Sequence, residues 1–167
     1  MLPIVGAIKY AKYLDDAAAF QLPTTSARSV VADFASEGGE IGGRLYGAER
    51  LGKLGRYLER RGVTLEVGSP ALEAGKAGSF VTYPGGNARL LLKADPTNEL
   101  VWHELGHFTQ WRRLGNDAYR ALPRTQAFNA PEQHVFDLLE RPTRWNRLTP
   151  EYRIHSAEYI EDVGGFR

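Results

Sequence analysis

Apolar residues recur at three- and four-residue steps in the stretch 48–61 and then alternate with polar ones. The apolar positions of this stretch are Leu51, Leu54, Tyr57 and Leu58. They lie on one face of a helix, so the pattern predicts an amphipathic helix over Ala48–Arg61. Gly62 favours its end, since glycine is common directly after a helix. Val63–Val67 has the two-residue period of a half-buried strand.

Two more strands are predicted, over Ser79–Tyr83 and Ala88–Leu92. The segment Pro84–Asn87 between them contains proline, two glycines and asparagine, which is typical of a tight turn. We therefore expect these two strands to pair as a hairpin within a short antiparallel sheet.

Three helices are predicted after the strands. The first runs from Asp95-Pro96 to Leu114, the second from Pro131 to about Glu140, and the third from Thr149-Pro150 to Gly164-Gly165. Asp95 can accept free N–H groups at the start of the first helix, and Pro96 suits its first turn. A polar loop through Pro123 separates the first two helices. Strands followed by helices indicate an α+β fold.

The N-terminal part of the chain has a weaker pattern. Ile4–Phe20 predicts a helix of mixed quality, which Pro23–Ser26 ends. We interpret residues 1–45 as a leader or packing arm and residues 46–167 as the folded domain.

Composition narrows the possible partners and cofactors. The 167 residues are 43% hydrophobic and 25% charged, which is ordinary for a folded protein. A net charge of +1 gives no reason to expect nucleic acid or an anionic membrane as a partner. Because there is no cysteine, any metal site must use histidine, aspartate or glutamate, and such ligands favour zinc. No signal peptide or apolar span long enough for a bilayer is evident.

The predicted helix that ends at Leu114 contains the motif H-E-x-x-H as His103-Glu104-Leu105-Gly106-His107. Residues four apart lie on one face of a helix, so both imidazoles can bind one Zn²⁺. Glu104 is offset in angle, which suits a base that takes a proton from a zinc-activated water. Gly106 costs helix propensity, and we expect it to allow the close approach of another backbone or of a substrate.

A catalytic zinc needs a third protein ligand, and the residues leave several candidates open. Glu132 begins the second of these helices. Glu158 lies on the last helix, where Asp162 one turn later could orient a histidine, and His155 lies on the same face. His134 is predicted to be a surface residue.

Three segments resemble the zincin-type metallopeptidase toxin domains of bacterial polymorphic toxins. They are Val101–Phe108 (VWHELGHF), Asn129–Asp137 (NAPEQHVFD) and His155–Ile160 (HSAEYI), the last followed by Gly164-Gly165. The likeness covers residues 45–165. Such domains end large Rhs-type or contact-dependent proteins, including type VI secretion effectors.

This resemblance implies a zinc peptidase that is secreted without a classical signal peptide and delivered into the cytoplasm of a target cell. Its partners would be a protein or peptide substrate and a cognate immunity protein. The resemblance also favours Glu132 over Glu158 as third ligand and gives His155 a role in catalysis or substrate binding. The chain begins at Met1 without the preceding repeats of the large toxins, so it is either an excised domain or a free-standing effector.

The predicted reaction is hydrolysis of a peptide bond, with Glu104 as proton carrier and Tyr159 or His155 stabilising the oxyanion. Ala88–Leu92 is either an ordinary core strand, which is the favoured interpretation, or an edge strand that could hold an extended substrate. The alternatives are an inactive zincin-like binding module, a housekeeping metalloprotease, and a hydrolase of non-peptide amides.

Overall fold

The three predicted strands form one small sheet in the computed structural model, which describes residues 44–164. β1 (Val63–Val67), β2 (Gly78–Thr82) and β3 (Ala88–Leu92) lie in the order β1–β3–β2. β2 and β3 form the predicted hairpin, whereas β1 is parallel to β3. The prediction of an antiparallel sheet is therefore wrong for β1. The connection 68–77 places β2 at the opposite edge of the sheet from β1, and β3 then lies between them.

The central strand β3 is the most buried part of the sheet, with Ala88, Leu90, Leu91 and Leu92 all in the core. Both of its edges are paired, so the favoured interpretation of Ala88–Leu92 as a core strand is confirmed and the alternative of a substrate-binding edge is wrong. Local apolar periodicity fixes burial but not the order of strands in a sheet. Among the described residues, β2 pairs with β3 alone, so one edge of β2 is free of strand pairing.

Two helices pack around the sheet. α1 (Ala48–Glu59) buries Leu54 and Leu58 in a first core cluster, which it shares with the sheet and with the longest helix, α2 (Asn98–Leu114). α2 begins two residues later than predicted. Its N-cap is Thr97, whose hydroxyl accepts a hydrogen bond from the N–H of Leu100 at 3.3 Å.

Four shorter helices follow. They are α3 (Asn116–Arg120), α4 (Ala130–Leu139), α5 (Pro142–Trp145) and α6 (Pro150–Asp162). α3 and α5 were not predicted, because one turn of helix has too few residues to show a period. The last three helices bury a second core cluster that includes Phe136, Trp145 and Ile160. Trp102 of α2 packs against this second cluster, so α2 lies between the two cores.

Six helices with one three-stranded sheet make residues 44–164 an α+β fold, as predicted. The predicted helix Ile4–Phe20 and all but the last two residues of the predicted arm lie outside this part of the chain. None of the helices between residues 44 and 164 has the length and apolar character needed to cross a bilayer.

Candidate metal centre

The two histidines of the H-E-x-x-H motif lie side by side on α2. The ring centroids of His103 and His107 are 5.1 Å apart, with the planes at 73°. Both side chains are largely buried, with exposed fractions of 17% and 7%. The helix therefore brings both imidazoles to one place, as the spacing predicts.

Glu132 of α4 meets both imidazoles. Its Oε2 lies 3.3 Å from Nε2 of His103, and its Oε1 lies 3.4 Å from Nε2 of His107. The three residues form a group whose ligand atoms all lie within 4.8 Å of one another, and this group could hold a metal ion. Glu132 is thus the carboxylate that the structure brings to the histidines.

The N-terminus of α4 is what carries Glu132 to this position. Asn129 caps the helix, and its side-chain oxygen accepts from the N–H of Glu132. Pro131 occupies the first turn, where a missing N–H costs nothing. Glu132 follows directly, so a local capping signal places the carboxylate at the end of α4 that faces α2.

Gly106 explains why α2 and α4 can approach so closely. A Cβ at this position would lie 2.9 Å from Cγ2 of Val135, closer than carbon atoms normally pack. The close approach expected at Gly106 is present, but its partner is a side chain of α4 and not a backbone or a substrate. Helix packing therefore accounts for this glycine.

The contact between these side chains shifts the pKa of His103 and the pKa of Glu132 in the metal-free protein. Burial alone would lower the pKa of His103, but Glu132, assisted by Glu104, raises it above the usual value. Burial likewise opposes ionisation of Glu132, yet the two imidazoles lower the pKa of its carboxyl far below the ordinary range. Glu132 is therefore ionised near neutral pH and available to a cation.

Glu104 lies in the same cavity but has a different environment. Only 4% of the residue is exposed, and burial is the main reason why its pKa is raised, against the opposing effect of His103 and His107. Its Oε2 is buried and has no hydrogen-bond partner in the described part of the chain. A raised carboxyl pKa is the direction that a general base needs.

These side chains line a cavity of about 660 Å³ between β2, α2, α4 and α6. His155 and Tyr159 of α6 also line it, and their rings stack with centroids 5.9 Å apart. Burial lowers the pKa of His155 to about 4, so its ring is neutral at pH 7. Burial is also the first cause of the raised pKa of Tyr159, whose hydroxyl therefore stays protonated.

None of the other candidate ligands belongs to the group formed by His103, His107 and Glu132. Glu158 is half-buried and Asp162 is exposed, and neither lines the cavity or belongs to the group of three. His155 lines the cavity but is not in that group either. His134 is half-buried on α4 outside the cavity, although it had been expected on the surface.

The cavity wall also contains residues that the sequence analysis does not single out, among them two tyrosines and a glycine. Tyr119 of α3 and Tyr152 of α6 are buried, and Gly78 begins β2. Tyr152 follows the capping pair Thr149-Pro150, which marks it as a residue of the first helical turn but not as part of a site. Tyr119 and Gly78 have no local signal, because their places depend on contacts with distant elements.

Comparison with protein-family models, with the curated proteins and with the solved structures finds no match. The function of the site has to be inferred from its own geometry.

Proposed function

We propose that the domain is a zinc-dependent metallopeptidase of the zincin type, in which His103, His107 and Glu132 hold the metal. The observation that carries this proposal is the approach of both imidazoles to the two oxygens of Glu132, at 3.3 and 3.4 Å. Oε2 of Glu132 is buried and is assigned no hydrogen bond within residues 44–164, which supports a role as a metal ligand.

The separations suit zinc. Two ligand atoms bonded to a tetrahedral Zn²⁺ at about 2.0–2.1 Å are about 3.4 Å from each other. Two imidazoles and one carboxylate, with no thiolate, are a common catalytic ligand set for this metal. Three protein ligands leave a fourth position, and the adjoining cavity has room for a substrate there.

Zinc, when bound, supplies a Lewis acid that polarises a carbonyl and makes water acidic enough to attack it. Glu104 acts as the proton carrier. Its carboxylate takes one proton from the attacking water as the C–O bond forms, and delivers it to the amine as the C–N bond breaks. Burial of Glu104 supports this role because it makes the carboxylate more basic than usual.

His155 and Tyr159 of α6 are suited to stabilise the oxyanion. Both line the cavity, and both carry an N–H or O–H group near neutral pH because burial keeps the imidazole neutral and the phenol protonated. Donors that are fixed in a low-dielectric cavity stabilise developing negative charge more strongly than water does.

The substrate is a protein or peptide in an extended conformation. The segment 75–80, which includes the start of β2, lines the cavity. Within residues 44–164 one edge of β2 is without strand pairing, so β2, and not the central strand β3, is the main-chain partner for the substrate.

We further propose that the peptidase is a secreted effector that acts in the cytoplasm of a target cell, with a cognate immunity protein in its producer. This part of the proposal rests on the resemblance of residues 101–108, 129–137 and 155–160 to polymorphic toxin domains. Expression in a bacterium without an immunity partner should arrest growth. Equal growth of cells that express the wild type and Glu104→Gln would contradict the effector role.

The peptidase proposal is tested with Glu104→Gln, which keeps the size of the side chain but cannot accept the proton. Hydrolysis of a library of quenched fluorescent peptides should fall by about 10²–10⁴-fold in kcat. Zinc content by mass spectrometry should stay at the wild-type level, because Glu104 is not a ligand. Full hydrolysis by Glu104→Gln would remove this residue as the proton carrier.

A further inference from the structure

Gly78, the first residue of β2, lies directly against the side chain of Glu104. A Cβ at this position would be 2.7 Å from Oε1 of Glu104, 2.9 Å from Cγ and 3.0 Å from Cδ. Carbon atoms in proteins normally pack at about 3.5–4.0 Å. The side chain of Glu104 therefore occupies the space that any other residue at position 78 would fill.

The backbone at Gly78 gives no separate reason for a glycine. Gly78 pairs with Leu92 at the end of a regular strand and is not among the glycines with positive φ. Gly85 and Gly86 in the hairpin turn differ in this respect, since their φ values are 92° and 90°. What distinguishes position 78 is the missing Cβ and not conformational freedom.

Hydrogen bonding within the described residues leaves one oxygen of the Glu104 carboxylate unfixed. Its Oε2 is buried and accepts no hydrogen bond from the described residues. We infer that Gly78 is a positioning residue, which leaves the space in which the Glu104 carboxylate lies beside His103 and His107. This inference rests on the proposed function, in which Glu104 carries the proton.

A methyl group at position 78 should displace the carboxylate and leave the strand in place. The atoms that it would meet belong to the flexible end of one side chain, whereas Gly78 itself is held in the β2–β3 ladder. None of the nearest atoms belongs to His103, His107 or Glu132. The metal ligands should therefore keep their positions.

The first experiment compares Gly78→Ala with Gly55→Ala, the same change on α1. A Cβ at Gly55 meets only Leu65, at an ordinary 3.7 Å. Gly78→Ala should lower kcat for the peptide library by about 10²-fold, the loss expected when a catalytic group moves by about 1 Å. Its zinc content should equal that of the wild type, and Gly55→Ala should keep full activity. Wild-type kcat for Gly78→Ala would overturn the inference.

The second experiment needs no activity. Gly78→Ala is made in the wild type and in Glu104→Ala, and thermal unfolding of the four proteins is compared. In the wild-type background, the methyl group should lower the midpoint by roughly 3–10 °C. In Glu104→Ala this loss should disappear, because the atoms that the methyl group meets are gone. If Gly78→Ala does not fold at all, the double variant must fold. An equal loss in both backgrounds would overturn the inference.

The two proposals can fail separately. If Glu104→Gln keeps full activity, the proposed function is wrong, and Gly78 has no proton carrier to position. If Glu104→Gln loses activity while Gly78→Ala keeps it, the peptidase proposal stands and only the positioning role of Gly78 is lost.

Discussion

Two histidines share one cavity, and burial lowers the pKa of both, yet the net shift has opposite signs. His103 lies 3.3 Å from Glu132, and the carboxylate raises its pKa despite burial. His155 is packed between Tyr152 and Tyr159 without such a partner, and burial lowers its pKa to about 4. The comparison shows that a nearby carboxylate, and not burial alone, separates a candidate ligand from a neutral donor in this protein.

The largest expected effect is on zinc affinity, when each of these two histidines is replaced by alanine. His103→Ala should weaken zinc binding by more than the 10–100-fold typical of losing an outer-shell partner, because it removes a ligand. His155→Ala should bind zinc as the wild type does. Titration with zinc against a competing chelator measures both. Equal losses of zinc affinity in the two variants would contradict the distinction between His103 as a ligand and His155 as a neutral donor.

The choice of third ligand is the next test. Glu132→Ala should lower zinc affinity by about 100-fold or more, since it removes the carboxylate that faces both imidazoles. Glu158→Ala is the matched control, because Glu158 is a half-buried glutamate of α6 that does not line the cavity. The same titration would contradict this assignment if Glu158→Ala lost more affinity than Glu132→Ala.

A smaller effect, on the free energy of unfolding, is expected when a methyl group is added at the contact between α2 and α4. Gly106→Ala should lower the free energy of unfolding by about 1–3 kcal/mol, the usual cost of an added carbon in a packed contact. Gly106→Ala should cost less in a Val135→Ala background than in the wild type, because Cγ1 and Cγ2 of Val135, which the new methyl group meets, are then gone. Urea unfolding measures both variants.

Gly52→Ala on α1 is the control for this contact, as its Cβ would meet only Arg56 at 3.7 Å. If Gly106→Ala cost the same in the wild type and in Val135→Ala, the contact between Gly106 and Val135 would not be what requires a glycine at position 106.

The last prediction concerns the dependence of stability on pH. Since the pKa of His155 is about 4 in the folded protein and about 6.5 in the unfolded chain, the unfolded chain takes up the proton first. The stability that neutral His155 contributes is fully present above pH 6.5 and declines as the pH falls toward 4. Urea unfolding of the metal-free protein should show this decline, and His155→Phe should lack that part of it. Identical pH profiles would contradict the lowered pKa.

Local patterns were sufficient to predict the bounds of the elements that depend only on residues nearby in the sequence. α1, β1 and the β2–β3 hairpin lie within one or two residues of their predicted bounds, because each has a clear period and a turn residue. The two imidazoles were also predictable, since a single helical turn brings them together. Thr97 replaced Asp95 as the cap of α2 because several residues there can cap a helix.

Contacts between distant elements were not predictable in the same way. The central place of β3 depends on how the chain crosses the sheet, and that crossing leaves no periodic signal. Glu132 and Glu158 both remained possible from the residues alone, because the packing of α4 on α2 decides which carboxylate reaches the histidines. Gly78 had no local signal at all, since its neighbour Glu104 is 26 positions away along the chain.

A crystal structure of the protein after equilibration with excess zinc tests the central claim most directly. We predict one ion bonded to Nε2 of His103, Nε2 of His107 and an oxygen of Glu132, with a fourth position open to the cavity. A site with no ion between the two imidazoles, or a shell closed by a fourth protein ligand such as His155, would contradict the account.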